Sequence, residues 1–409
     1  MEGESEPAAA AAVFSAVLDD DDLLGEILIR VAFPTSLVRA ALVCKRWLRL
    51  VSAPAFLRRF GDLNPPSLLG FYVVTMSFTS EDGQPPRFVP VPDQPPELDA
   101  VVRRANFDVG TFGGDIYDLD CWNGLLLTRQ VGSATSSKSK ITVRSPLCPA
   151  AHTTILPPTP STSIHGGFTY HYREILPNGV GDDGRLSCFC LAIGRKGRQC
   201  VLDVYGLQLQ DDAWAIYSSA VTETSVVHLP LPSLIVDEKI CNLTLVTGRD
   251  KPGSYKLFWL DFASSCFSLV NLPEEVQYYQ GTGLSLANDS GVHFIYAKGS
   301  QLRIWLYKVD TNSNGLADWL HVHTVCLTDM IPTSMSGDVS VRAVGANSAF
   351  VFLEKNDVIY MLDVKHKAAT KVYQFTTQEE DRFMDGVRPF MMVWPPKFPA
   401  LKEGCDPKQ

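Results

Sequence analysis

The chain has 409 residues, 45% of them hydrophobic and 20% charged, with a formal net charge of -9. This is ordinary globular composition, and the length suits two or three domains, or one small domain beside a large all-β unit. The acidic balance disfavours nucleic-acid binding, which needs basic surface against phosphates, and ten cysteines without a C-x-x-C pair read as small hydrophobes of a reduced protein of the cytoplasm or nucleus.

Met1–Pro7 is acidic where a signal peptide needs a basic start, and no stretch reaches the roughly eighteen apolar residues of a membrane helix. Residues 1–17 are rich in Glu and Ala, carry no apolar period, and are expected to be a disordered tail, as are residues 399–409.

From Asp19 to Phe60 the pattern is helical. Leu23, Leu24, Ile27, Leu28 and Val31 fall on one helix face. Asp19–Asp22 stand ahead of it, where carboxylates cap free amides and complement the helix dipole. Pro34 breaks the pattern, and Thr35 or Ser36 caps a second helix with Leu37, Ala41 and Leu42. A third run holds Cys44, Trp47, Leu48 and Val51, and Pro54 starts a last short turn with Phe56 and Leu57. Residues 1–30 carry a net charge of -7 and residues 31–60 one of +6. Two solvated faces account for this division, as does a polar rim steering an acidic partner. Three helices of this size cannot bury enough surface to be robust alone. Leu23, Leu24, Ile27, Pro34, Leu37, Val43 and Trp47 are therefore candidates for an exposed apolar patch that a partner covers, the alternative being that all seven are intramolecular core.

Pro65-Pro66 marks a junction. Beyond residue 68, short runs rich in Val, Ile, Phe, Tyr and Trp alternate with Gly/Pro/Asn/Asp turns, and no long amphipathic helix follows. Gln84–Pro96 and Ser133–Ser139 read as exposed loops, and the Arg195, Lys196 and Arg198 cluster as a solvated hairpin tip. Val201–Tyr205, Trp259–Phe262, Tyr307–Asp310 and Tyr360–Val364 each place an aspartate at a strand end, spaced 58, 49 and 53 residues apart. Each is followed by another β-rich run, beginning at Val226, Phe267, Val322 and Lys371, and one period back lies Arg144–Pro149. Repeats of four short strands every ~40–50 residues mark propeller blades. The period fits six blades, the match is loose, and a large β-sandwich is the alternative.

Catalytic signatures are sparse. There is no Walker loop, no dinucleotide-binding glycine fingerprint, no nucleophile elbow and no H-E-x-x-H helix; Gly281-Thr-Gly283 reads as a turn. On a strand His321 and His323 share a face, with Cys326 on the other and no fourth ligand, so no metal or cofactor is assigned. Cys188 and Cys190 read as a buried pair on one face, with Cys200 across a hairpin. Asp182-Asp183, Asp211-Asp212 and Glu274-Glu275 sit in turn contexts, although an acid pair for glycoside hydrolysis can come from distant blades.

Asp21–Arg30, Phe33–Arg39 and above all Leu42-Val-Cys-Lys-Arg-Trp47, ending in Ser52-x-Pro54-x-Phe56, resemble the F-box motif in order and spacing. The family's usual Leu-Pro opening is replaced here by Asp19 and Asp20. Trp122–Leu127, Phe267–Pro273, Gln301–Trp305, Val351–Glu354 and Val358–Tyr360 resemble the F-box-associated β domain of a large plant family. The resemblance implies an α+β multidomain chain: a small three-helix F-box at 18–62, a linker at 63–69 and a large all-β, propeller-like domain at 70–398. It also implies a non-catalytic, substrate-recognition subunit of a Skp–cullin–F-box ubiquitin ligase. A Skp-type adaptor, linked to a cullin, would bind Leu23, Leu24, Ile27, Pro34, Leu37, Val43, Cys44 and Trp47, and the β domain would hold an unidentified protein target, with no nucleic acid or membrane. The readings weighed against it are a propeller enzyme such as a glycosidase and an F-box scaffold outside the ligase.

Overall fold

The structure is a computed structural model, and it describes residues 17–77, 85–109, 115–131, 140–148, 150, 153–159, 168–180, 186–208, 213–228, 232–247, 253–273, 276, 281–287, 291–308, 319–332, 338–375, 382–396 and 398. Residues 1–16 and 399–409 of the two expected tails, Ser133–Ser139, Asp310 and the three carboxylate pairs lie outside the described residues, whereas Val17, at the end of the first, is helical. Among those described, no helix is long and apolar enough to cross a membrane.

From Asp21 to Leu63 the described residues form four helices where three and a short turn are expected: α1 (Asp21–Leu28), α2 (Pro34–Ala41), α3 (Lys45–Ser52) and α4 (Pro54–Leu63). The last short turn at Pro54 is a ten-residue helix. Proline at its first position gives up no intrahelical bond, and Phe56 and Phe60 one turn apart bury its inner face.

The remainder is six sheets in a ring, a six-bladed β-propeller. β1 (Leu68–Ser77), β2 (Arg87–Pro90) and the C-terminal β24 form the first, in the order β2-β1-β24. β3 (Asp115–Trp122), β4 (Leu125–Val131), β5 (Lys140–Arg144) and β6 (Thr154–Leu156) form the second, and β7 (Phe168–Val180), β8 (Leu186–Lys196), β9 (Gln199–Gln208) and β10 (Ala215–Thr222) the third. In the fourth, β13 (Lys239–Thr247), β14 (Ser254–Asp261) and β15 (Phe267–Asn271) follow an inner edge split into β11 (Ser225–His228) and β12 (Leu234–Val236). The fifth is β16 (Thr282–Ala287), β17 (Gly291–Lys298), β18 (Gln301–Lys308) and β19 (Trp319–Cys326). The sixth is β20 (Ser340–Val344), β21 (Phe350–Lys355), β22 (Val358–Asp363) and β23 (Ala368–Gln374), and β24 spans Arg382–Met391. Every pairing is antiparallel. Because β24 is the inner strand of a blade begun by β1, the last strand fastens the ring to the first.

Six apolar clusters fill the six spaces between neighbouring blades. The continuous apolar run in β14 follows directly. Leu257 and Trp259 face the fifth blade, while Phe258 and Leu260 face the third, so both faces are buried. The recurring aspartate marks the third strand of a blade: Asp261 ends β14 and Asp363 ends β22, each accepting a backbone N–H three residues on. Asp203 lies within β9 instead. The strand after it is β10, and the run at Val226 opens the next blade.

Other expectations are corrected. Gln84–Pro96 is not all loop, since it contains β2. Val91 donates to the Leu69 carbonyl, so in the alternating ladder Pro90 and Pro86 occupy positions whose nitrogens face outward. Prolines there disfavour a further strand, and the described residues of this blade form three. A helix follows, α5 (Pro96–Arg104), which packs Leu98, Val101 and Val102 beside Leu69 and Tyr72. Gly283 lies inside β16 rather than in a turn; a Cβ there would meet Val344 and Val341 of the next blade at 2.5 and 2.8 Å. The expected hairpin tip holds: Lys196 pairs with Gln199 around Gly197, whose φ is +61°.

The turn between β3 and β4 orients the two domains. Asn123 and Gly124 both have positive φ, the type I′ geometry that suits an Asn-Gly pair. The Asn123 side chain donates to the Trp394 carbonyl and accepts from its N–H. Trp394 and Phe398 in turn pack against the helical core. The helices therefore sit on the face where β24 leaves and β1 enters. Hairpin tips between second and third strands point to the opposite face.

Candidate adaptor-binding surface of the helical domain

Asp20 caps α1, its carboxylate accepting from the N–H groups of Asp22 and Leu23 at 2.9 and 3.0 Å. The apolar residues of α1 then divide between two faces. Leu24 and Leu28 enter the core, whereas Leu23 and Ile27, one turn apart, remain 47% and 45% exposed. In α2, Pro34, Leu37 and Ala41 are buried. In α3, which starts at the exposed Cys44, Leu48 and Val51 are buried and Trp47 is half-buried against the same cluster.

Leu24, Pro34 and Leu37 are thus removed from the expected exposed patch, because they form the floor on which the helices pack. Leu23, Ile27, Val43 and Cys44 stand in solvent. The sequence reading missed Leu42, which ends α2 and is 65% exposed beside Val43 at 64%. A signal for it was present: with Leu37 and Ala41 on the inner face, the next residue is rotated away from it.

The charge division resolves within the domain. The Arg46 guanidinium of α3 reaches Asp21 at 2.7 Å and the carbonyls of Leu18 and Asp19 at 2.7 and 2.6 Å. Arg59 of α4 pairs with Glu26 at 2.5 Å, which holds the Glu26 carboxyl below its usual range. These contacts tie the start of α3 to the start of α1, so the Leu42–Cys44 loop lies at the same end of the domain as Leu23. Exposed pairs of this kind add little stability each; their effect is to fix that placement.

Elsewhere, a register shift between Ile304 and Trp305 inserts Val322 as a bulge between His323 and His321. A bulge turns the two rings off a shared face, and the described residues hold no group of three metal-ligating side chains. A cavity of about 550 Å³ beside β1 and β2 is lined by Val73, Phe88 and Phe107, with Arg87 above Tyr373 and Asp108 as the one carboxylate among its described lining residues.

Residues 20–59 match the F-box domain, and residues 118–398 match the family described as F-box protein AT5G49610-like, β-propeller. The chain belongs to this F-box β-propeller family. F-box domains generally bind Skp1-type adaptors, and the F-box implies involvement in a ubiquitin ligase. Comparison with curated proteins finds no match. Among solved structures, an α-L-arabinofuranosidase of Fusarium graminearum is 12% identical, over 62% of this chain and 78% of that one, at TM-score 0.36. A puromycin-hydrolysing peptidase of Mycobacterium tuberculosis is 6% identical over 64% and 39%, also at 0.36. The Cps50 (Swd1) β-propeller domain of Myceliophthora thermophila is 9% identical over 62% and 88%, at 0.31. Likeness at this level carries no argument about function.

Proposed function

We propose that this F-box protein is the target-recognition subunit of a Skp–cullin–F-box ubiquitin ligase, with its helices on the adaptor and its propeller holding a protein target. The observation that carries this reading is the exposure of Leu23, Ile27, Leu42 and Val43 on a domain whose core is already complete. Large apolar groups left in water on so small a unit mark a surface for a partner. The mechanism is proximity: tethering raises the target's effective concentration at a conjugating enzyme, and the receptor supplies no bond chemistry of its own. Packing of Trp394 against the helices supports a fixed geometry between adaptor and target. The cytoplasm and nucleus, where such ligases act, are the proposed location.

Calorimetric titration of a Skp-type adaptor into single alanine variants tests the reading. Anchors at an interface centre cost about 2 kcal/mol or more when truncated, roughly thirtyfold in affinity. Leu23→Ala, Leu42→Ala and Val43→Ala should each bind at least about tenfold more weakly while keeping wild-type circular dichroism. Leu24→Ala and Leu37→Ala should instead lower the folding stability of the helices by about 2–5 kcal/mol. Wild-type affinity in all three exposed variants would remove the adaptor assignment.

A further inference from the structure

We propose that the outer edge of β10, which no described strand pairs, receives an extended segment of a protein target as a fifth strand of the third blade. That segment would be uncharged where it pairs and acidic at the end beside the Arg195–Arg198 hairpin tip. The target's role rests on the receptor reading above, whereas the edge is a property of the fold.

An outer strand presents unpaired backbone groups, and proteins ordinarily blunt such edges with proline, charge, shortness or a bulge. Among the described outer strands, β2 has Arg87 and Pro90 and is preceded by Pro86. β6 is three residues long and runs into Pro157-Pro158, and β15 is five residues long. β19 has two histidines and a bulge, and β23 has Lys371. β10 runs eight residues, Ala-Ile-Tyr-Ser-Ser-Ala-Val-Thr, with neither proline nor charge. One register shift lies between Ile216 and Ser218, and from Ser218 to Thr222 its ladder with β9 is regular. Ile216 is 67% exposed and Val221 57%. Tyr217 leans on Phe189 and Phe262, with centroids at 5.1 and 5.4 Å, and so helps to hold the edge rigid.

The chemistry of the occupant follows from the edge. Outward N–H and C=O groups in the plane of a sheet are satisfied by another extended backbone, and exposed side chains along it select apolar partners at alternate positions. A second copy of this chain fits poorly. Each copy carries -9, and an edge of roughly 27 Å on a convex perimeter gives little beyond the strands themselves. Stable pairs bury about 1,200–2,000 Å². A flexible segment meets no such demand.

Charge sets the flank. Thr222 at the end of β10 pairs with Cys200, and just beyond Cys200 the β8–β9 hairpin turns through the exposed Arg195, Lys196 and Arg198. Glu223 is the one acid adjoining Thr222 in the described chain. The exposed Arg198 at that tip favours an incoming carboxylate at that end.

The test uses the full chain and three fluorescein-labelled peptides. These are Glu-Glu-Thr-Val-Thr-Ile-Thr-Val, the same residues in reverse order, and the first with lysines replacing its glutamates. Fluorescence anisotropy reads binding, and hydrogen-exchange mass spectrometry reads the amides of β10. One glutamate-ended peptide, its polarity reporting parallel or antiparallel addition, should bind at micromolar to millimolar concentration and slow exchange over Ser218–Thr222. The Ile216→Thr/Val221→Thr double variant, still uncharged and still strand-forming, should weaken it about fivefold or more. Arg198→Glu should weaken the glutamate-ended peptide about threefold or more and favour the lysine-ended one. Unchanged β10 exchange with both glutamate-ended peptides at millimolar concentration overturns the proposal, as does protection that persists in the double variant. Adaptor titration of the same protein separates the two readings. Tight adaptor binding with an unprotected β10 sinks the edge proposal alone, whereas protected β10 amides without adaptor binding sink the receptor assignment and leave the edge standing.

Discussion

The indole of Trp394 lies flat against the ring of Phe60, with centroids 5.5 Å apart and planes 11° from parallel. Phe60 sits in α4, at the end of the F-box, and Trp394 follows β24, at the end of the propeller, so this stack joins the two domains across the chain. The ring is held from behind as well, since the Asn123 side chain bonds both backbone groups of Trp394. Two cores that the sequence separates by more than 300 residues thus meet at this pair, with Phe398 against the helical core and Phe33 against the propeller beside it.

This contact makes two helical glycines behave in opposite ways. Replacing an exposed helix glycine with alanine normally gains up to about 1 kcal/mol, and Gly25 of α1 has nothing within 4 Å of an added Cβ. At Gly61 of α4 the added carbon would stand 2.9 Å from the Trp394 ring, which Asn123 prevents from retreating. Denaturant unfolding should show Gly25→Ala stabilised and Gly61→Ala unchanged or destabilised. A gain at Gly61 matching that at Gly25 would show that the domains are not docked.

Thiol reactivity should sort by burial. Cys188, Cys190, Cys200 and Cys241 are enclosed between blades, whereas Cys44, Cys148, Cys266 and Cys326 are exposed. Burial pushes the Cys188 thiol up to about 12 and that of Cys241 well above its ordinary value. A hydrogen bond from the Thr328 hydroxyl holds Cys326 below its own. Because the thiolate is the nucleophile, pulsed iodoacetamide labelling near neutral pH should modify Cys326 first among the four exposed residues. The four enclosed thiols should label only on unfolding, and labelling of Cys188 as fast as Cys266 in the folded protein would contradict the packing of the second and third blades.

Much of this architecture is legible in the sequence, and the misreadings have physical causes. The capping aspartates, the apolar period of α1 and Leu42–Trp47 locate the helices. Assigning faces does not follow, because Leu23/Ile27 and Leu24/Leu28 are equally apolar rows about 100° apart, and only the placement of α3 and α4 decides which row is covered. The blade period is visible because the third strand of a blade often ends in an aspartate that caps the next turn. It misleads at Asp203, which lies inside β9, because the next run rich in β-branched residues is at Val226 and the Ser-rich β10 lies between them. Prolines concealed β2, since they read as loop when they are in fact the outward-facing residues of an edge strand. α5 carried its signals openly, with Pro96 at the first position, Glu97 and Asp99 in the first turn and Arg103 and Arg104 in the last.

His293 gives the fold a specific acid sensitivity. It lies in β17, paired with Ser285 on one side and Leu306 on the other, almost fully buried, and its Nδ1 has no hydrogen-bond partner among the described residues. Burial disfavours the charged ring and lowers its pKa below the ordinary value. Above about pH 6.5, the ordinary histidine value, neither the folded nor the unfolded ring is protonated, and the residue has no effect on the pH dependence. As the pH falls through about 6.5 the unfolded ring takes up a proton that the folded one refuses, so stability declines with a slope of up to about 1.4 kcal/mol per pH unit. Asp261, held down by bonds from Ser264, loses its stabilising contribution only near and below the ordinary carboxylate range, which leaves the histidine window separate. Urea unfolding at about pH 8, 6.5 and 5.5 should show a wild-type decline across the last two values that is shallower in His293→Gln. Parallel declines in the two proteins would mean that the folded ring accepts its proton freely, and that the contact between β16 and β17 admits water.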